Sequence, residues 1–160
     1  MGLNEQNFRI CKATLSEDQN IPTSGTPAAI SFDSAPINPN TMWEGVTNPT
    51  RITINKPGWY LIVGNIKWTA GTVGDREVFI TKNGASAFVA RQTGAVAALA
   101  QYQTVSAIEF LVAGDYLQLY VNQTSTAALA IDAVAADLTP SLTVSLLMPT
   151  YNPTGTYEAQ

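Results

Sequence analysis

Few residues in this chain have the types and spacing that chemistry requires. Asp75 and Glu77 are the closest pair of carboxylates, and residues two apart on a strand share a face. Such a pair could in principle hydrolyse a glycosidic bond, one group as acid and the other as base or nucleophile. Asp75, however, lies in the turn-like stretch Gly74-Asp75-Arg76, where charged residues are ordinary solvated surface. Gly71-Thr72-Val73-Gly74 has glycines but no Lys-Ser/Thr in the register of a phosphate loop. The chain has no histidine, which removes a Ser–His–Asp triad and most transition-metal sites. Cys11 is the single cysteine, so no intrachain disulfide or thiolate cluster can form, and it reads as an inert small hydrophobe. Asp33, Asp75, Asp115, Asp132 and Asp137 are dispersed without the spacing of a calcium loop. Arg51, Arg76 and Arg91 read as isolated surface arginines, the alternative being pairing with acids or with a partner. No catalytic residue, metal ligand or cofactor is expected.

Composition narrows the function classes further. Of 160 residues, 46% are hydrophobic and 12% charged, the latter about half the usual share. A disordered chain needs the reverse balance. The net charge of −4 argues against a nucleic-acid partner, because phosphate neutralisation needs clustered Lys and Arg. No apolar run approaches the roughly 18–20 residues of a membrane helix, and MGLNEQNFRI has no secretory pattern. Asn122-Gln123-Thr124 fits a glycosylation sequon, a weak signal without such a pattern. No membrane partner is expected.

The elements that must position any site are strands. Runs of branched and aromatic residues occur at Ala28–Phe32, Arg51–Asn55, Trp59–Trp68, Glu77–Thr81, Val105–Val112, Tyr116–Asn122 and Leu142–Met148. Turn chemistry separates them. Lys56-Pro57-Gly58 predicts a turn with Gly58 at a positive-φ position, Lys82-Asn83-Gly84 a hairpin, and Ala113-Gly114-Asp115 a further turn. Residues 95–101 and 127–138 are alanine-rich. Ile131, Val134, Ala135 and Leu138 fit a helical face, but strand and loop agree with the neighbours. Residues 1–25 read as an N-terminal arm with one strand at most, 26–148 as the folded domain with a loop at 36–49, and 149–160 as an extended tail. The pattern predicts an all-β, two-sheet antiparallel sandwich or barrel.

Several strands are apolar on both faces. Along Trp59–Trp68, Trp59, Leu61 and Val63 face one way, and Tyr60, Ile62, Ile66 and Trp68 the other. A sandwich strand needs one buried face, so a second apolar face implies a second burial surface, such as a subunit interface. Leu147 breaks the polar side of the last strand, and the Tyr116/Gln118/Tyr120 face is similarly suited to a contact.

The order of these motifs resembles the globular head of the first complement component, in the superfamily that includes tumour necrosis factor. The motifs are Ser31-Phe32-Asp33, Asn38–Asn40, Arg51-Ile52-Thr53-Ile54, Lys56-Pro57-Gly58-Trp59-Tyr60-Leu61, Ile80-Thr81-Lys82-Asn83-Gly84, Val112-Ala113-Gly114-Asp115-Tyr116-Leu117 and Leu142-Thr143-Val144-Ser145-Leu146-Leu147. Ile54 replaces the usual Phe before the Pro-Gly turn, and no collagen-like stalk precedes the domain. The resemblance implies a jelly roll that assembles as a compact homotrimer. Tyr60, Tyr116, Gln118, Tyr120 and Leu147 are then expected near the threefold axis.

Without catalytic machinery the function is expected to be binding and assembly. Only about 25 residues precede the domain, without heptads or repeats, so the chain is expected to lack a fibre shaft. A small, acidic, cysteine-poor trimeric jelly roll with polar arms suits a decoration (cement) protein on the outside of a tailed-phage capsid. The expected partners are two further copies of the chain and the major capsid protein, the latter gripped by an arm carrying Leu3, Phe8, Arg9 and Ile10. Three arms acting together would raise the apparent affinity by roughly 10²–10⁴. The alternative is a receptor-binding module of a phage tail fibre or tail tip, recognising host glycan or protein through Trp43 and Asn48 in the outer loops.

Overall fold

The computed structural model describes residues 8–23, 25–84, 88–94, 99–134 and 138–149. Twelve strands run through them: β1 (Ile10–Thr14), β2 (Gln19–Ile21), β3 (Ala28–Ala29), β4 (Ser34–Ile37), β5 (Arg51–Thr53), β6 (Gly58–Trp68), β7 (Arg76–Lys82), β8 (Phe88–Gly94), β9 (Gln101–Leu111), β10 (Tyr116–Gln123), β11 (Leu129–Ile131) and β12 (Ser141–Pro149). They form two antiparallel sheets. The first runs β2-β11-β6-β12-β1-β4 with β9 on the other side of β6, and the second runs β3-β10-β7-β8 with β5 also on β10. This is the all-β architecture that the strand pattern predicts, in the two-sheet form that the resemblance implies.

Period-two side-chain alternation builds the core between the sheets. β10 turns Leu117, Leu119 and Val121 inward and leaves Tyr116, Gln118 and Tyr120 half-buried outside, as its sequence alternation requires. β6 turns Tyr60, Ile62, Ile66 and Trp68 inward. Gly64 lies between them, and a Cβ built there would come within 2.5 Å of a Leu119 methyl, so the sheets approach each other most closely where a side chain is missing. At one end the core becomes polar: Trp68 Nε1–H donates to Gln103 Oε1 at 2.7 Å.

Several local expectations change. The segment read as an arm supplies β1, registered between β12 and β4, and β2 beside β11. Cys11, Ala13, Leu15 and Ile21 are the reason, since all four are buried in the core. Gly58 is not a left-handed turn residue: it is the first residue of β6, opposite Leu111 and Pro149. Asn83 and Gly84, by contrast, both adopt positive φ (57° and 121°), as the hairpin reading predicts. β11 places a strand within the alanine-rich 127–138 stretch, and residues 135–137 and 95–98 lie outside the described set.

The Gly114-Asp115 turn is the best-tied corner. Gly114 has φ 95°. The Asp115 carboxylate accepts from the Val112 N–H at 3.0 Å and the Asn83 amide at 2.7 Å, and pairs with Lys82 at 3.1 Å. Burial alone would push the Asp115 carboxyl up, but these hydrogen bonds and the Lys82 charge together pull it below the ordinary value. A carboxyl depressed on folding stabilises the fold above its unfolded pKa and loses that contribution as pH falls through the folded value. Asp115→Ala should therefore lower stability at pH 7 by about 1.5–3 kcal/mol. The gap from wild type in urea melts should narrow as the pH drops below about 4; a gap that is constant with pH would refute this account.

Candidate functional site

The outward face of the first sheet carries the exposed apolar side chains. On β6, Trp59 stands opposite Phe110 on β9 and Met148 on β12, and Leu61 stands opposite Ile108 and Ser145. Trp59 is 45% exposed, Ile108 57% and Met148 61%, with Phe110 and Leu147 also exposed. The Trp59 and Phe110 rings meet edge to face at 5.6 Å between centroids. Farther along the same face the chemistry turns polar. Thr104 donates to Asn65 at 2.8 Å, and Lys67 pairs with Asp132 at 3.0 Å while lying over the Tyr102 ring. The face is thus graded, apolar at one end and hydrogen-bonded at the other.

The five residues expected at a threefold axis do not share this face. The Tyr60 side chain points into the core, fully buried, and its hydroxyl donates to the Lys56 carbonyl at 2.6 Å; strand phase puts Trp59 outside in its place. Tyr116, Gln118 and Tyr120 lie on the outer face of the second sheet. There Tyr120 stacks on Phe79 at 5.6 Å, Arg51 lies 4.9 Å over the Tyr116 ring, and Gln118 donates to Thr50 at 3.0 Å. These contacts within the chain occupy faces that the sequence leaves open for a partner. Leu147 alone belongs with the apolar end of the first sheet.

Of the arm residues, Leu3 lies outside the described set. Phe8 is exposed, Arg9 donates to Asn55 at 3.1 Å, and Ile10 is already in β1 opposite Ser145. The Leu146 N–H donates to the Arg9 carbonyl at 2.8 Å, so Arg9 extends the β1–β12 ladder next to Leu147 and Met148, while β12 stays paired with β6 as far as Pro149. In the 36–49 loop, Trp43 is half-buried, donates through Nε1 to the Pro49 carbonyl at 3.1 Å, and has Gly45 packed against its ring. Asn48 donates to Glu44 at 2.8 Å. Asn38, which the sequence gives only as part of the Asn38–Asn40 motif, organises this loop: its side chain accepts from the Met42 and Trp43 N–H groups and donates to the Trp43 carbonyl. Beside it is an open depression of about 440 Å³ lined by Phe32, Asp33, Trp43, Gly45, Val46 and Pro49.

The candidate chemistry does not assemble. Asp75 is exposed, whereas Glu77 is held by Arg91, Thr93 and Asn122. Burial would raise the Glu77 carboxyl, but the hydrogen bonds from Arg91 and Asn122 bring it below the ordinary value, the wrong direction for a general acid. Arg91 is therefore an ion-paired arginine. Arg76 is not at the surface at all: it is fully buried, because its register puts it in phase with inward-facing Val78 and Ile80 on β7. Among the described residues no group of three metal-ligating side chains comes together.

No protein-family profile matches the sequence, and no curated protein matches it. Solved structures do match in fold. Murine APRIL at pH 5.0 superposes with a TM-score of 0.65 at 9% identity, over 88% of this chain and 99% of that one. The globular domain of zebrafish complement 1qA protein gives 0.59 at 11% identity, over 88% and 98%. The tumour necrosis factor Eiger from S. frugiperda gives 0.56 at 14%, over 94% and 99%. The fold is thus that of the tumour necrosis factor and complement globular-head jelly rolls.

Cys11 has no acid–base neighbour to activate it, and burial pushes its thiol up to about 12. In the native protein at pH 8 a thiol reagent should label it orders of magnitude more slowly than in denaturant, at a rate set by opening of β1. Labelling at the rate of a free thiol would mean that β1 is not held in the sheet.

Proposed function

We propose that this chain is a non-enzymatic assembly and binding protein that forms a homotrimer through the apolar face of its first sheet and decorates the outside of a tailed-phage capsid. The observation that carries the assembly step is the surface of exposed Trp59, Ile108, Phe110, Leu147 and Met148 around half-buried Leu61. Its aromatic and methionine content is that of the fully buried centre of a protein interface. The jelly-roll likeness supports a trimer as the closed form of that contact. Capsid decoration is supported by the acidic composition, by the lack of assembled catalytic groups among the described residues, and by where the N-terminal segment leaves the domain. It emerges beside Phe8, next to the end of β12 and the apolar patch, so three copies would present three arm bases around one assembly. The tail-receptor alternative draws on the depression beside Trp43, whose indole is largely engaged in anchoring its own loop.

Light scattering at micromolar concentration should give a trimer for the full chain. Trp59→Asp should give a folded monomer, because each interface would bury an unpaired carboxylate, whereas Tyr120→Asp should remain trimeric. A monomeric wild type refutes the assembly step. Deleting residues 2–8 leaves β1 intact; the deleted protein should stay trimeric yet bind capsids at least 10²-fold more weakly, as lost multivalency requires. Antibody to the protein should label virion heads in electron micrographs. Label confined to tail tips would transfer the role to the Trp43 loop, and particles without label would end the capsid reading.

A further inference from the structure

Arg76 is a charged residue that neither the core nor the proposed interface explains. It opens β7, paired with Gln123 on one side and Gly94 on the other, and its side chain enters the polar end of the core with 0% exposure. All three guanidinium nitrogens lack a hydrogen-bond partner among the described residues. Two nearby amides are committed elsewhere, while Gln101 Oε1, on the same end of the core, is a buried acceptor that takes no hydrogen bond among the described residues. Gln103 accepts from Trp68 and donates to Arg76's own carbonyl at 3.2 Å. Gln123 donates to the Ile21 and Ala127 carbonyls and accepts from the Ser125 N–H. Nη2 lies against Gly71, where a Cβ would approach it to 2.5 Å, and Leu129 closes the same corner. Two loops seal this end: Asp75 N–H donates to Thr124 Oγ1 at 2.9 Å, and Thr124 N–H donates to the Asp75 carbonyl at 3.1 Å.

A guanidinium cannot shed its charge in a protein, and a buried charge without a counter-charge is strongly destabilising. Its nearest carboxylate in sequence, Asp75, is exposed, Glu77 serves Arg91 on the opposite face of the sheet, and Asp132 pairs with Lys67. We propose that Arg76 is an anion receptor that takes a small inorganic monoanion, of the halide or nitrate class, into the end of the sandwich beside Gly71. One negative charge balances the guanidinium; a divalent anion would leave a net buried charge. Two N–H groups on one edge of the guanidinium supply the donors, and the anion would hold the 71–75 and 124–129 loops together from inside.

The test is the melting temperature of the full chain at constant ionic strength as gluconate, too large to enter, is replaced by chloride or bromide. Above the dissociation constant the wild type should gain roughly 3–6 °C for each tenfold rise in halide. Arg76→Met, which removes the charge but keeps the volume, should melt at one temperature in every mixture. A wild type indifferent to halide overturns the proposal, as does an equal gain in Arg76→Met. Should that variant not fold, anomalous scattering from wild-type crystals grown in bromide decides: a bromide within hydrogen-bond reach of the guanidinium supports the site, and none there overturns it.

Discussion

The structure depends on what β6 must do at once. It hydrogen-bonds along its whole length to β9 and along most of it to β12, and its inward residues fill the middle of the core. A strand this central has no free edge, so its only remaining surface is the outward face, and that face is apolar at the Trp59 end. Burial of Tyr60, Ile62, Ile66 and Trp68 holds the sandwich closed. The same register turns Trp59, 45% exposed, and half-buried Leu61 outward. Fold stability and the proposed association therefore draw on opposite sides of one strand.

That division separates the two tyrosine-bearing surfaces. On the second sheet, Tyr116 and Tyr120 are already used: Arg51 and Phe79 lie on their rings, and Glu77, Arg91, Thr93 and Asn122 form a hydrogen-bonded group beside them. Several polar side chains of that sheet bond within the chain, although Arg51 Nε, Thr81 Oγ1 and Asn122 Oδ1 are buried without a hydrogen-bond partner among the described residues. On the first sheet Trp59 meets the Phe110 ring yet stays 45% exposed.

The far end of the core is organised by hydrogen bonds rather than by apolar contact. Trp68, Gln103, Gln123 and Ser125 satisfy one another and nearby carbonyls, and the Arg76 guanidinium lies among them without an acceptor. A buried polar layer of this kind restricts the strands to one register, since a slip of one residue would leave several groups unpaired.

The sequence by itself determined the elements whose evidence is local. The Leu117/Leu119/Val121 alternation, the Asn83-Gly84 hairpin, the Gly114-Asp115 turn and the two-sided apolarity of Trp59–Trp68 all follow from neighbouring residues. Cys11 as an inert thiol and the missing histidine were equally legible. Only the tertiary structure decided which side of a two-faced strand is inside, because alternation fixes a period and not a direction. Tyr60 and Trp59 exchange roles on that ground alone. Arg76 reads as a surface charge beside a turn, yet its phase with Val78 and Ile80 carries it into the core. β1 and β2 are too short and polar to announce themselves, and exist because β12, β4 and β11, distant in sequence, supply their hydrogen bonds. Pairing between strands far apart in the chain sets direction, and local composition cannot encode it.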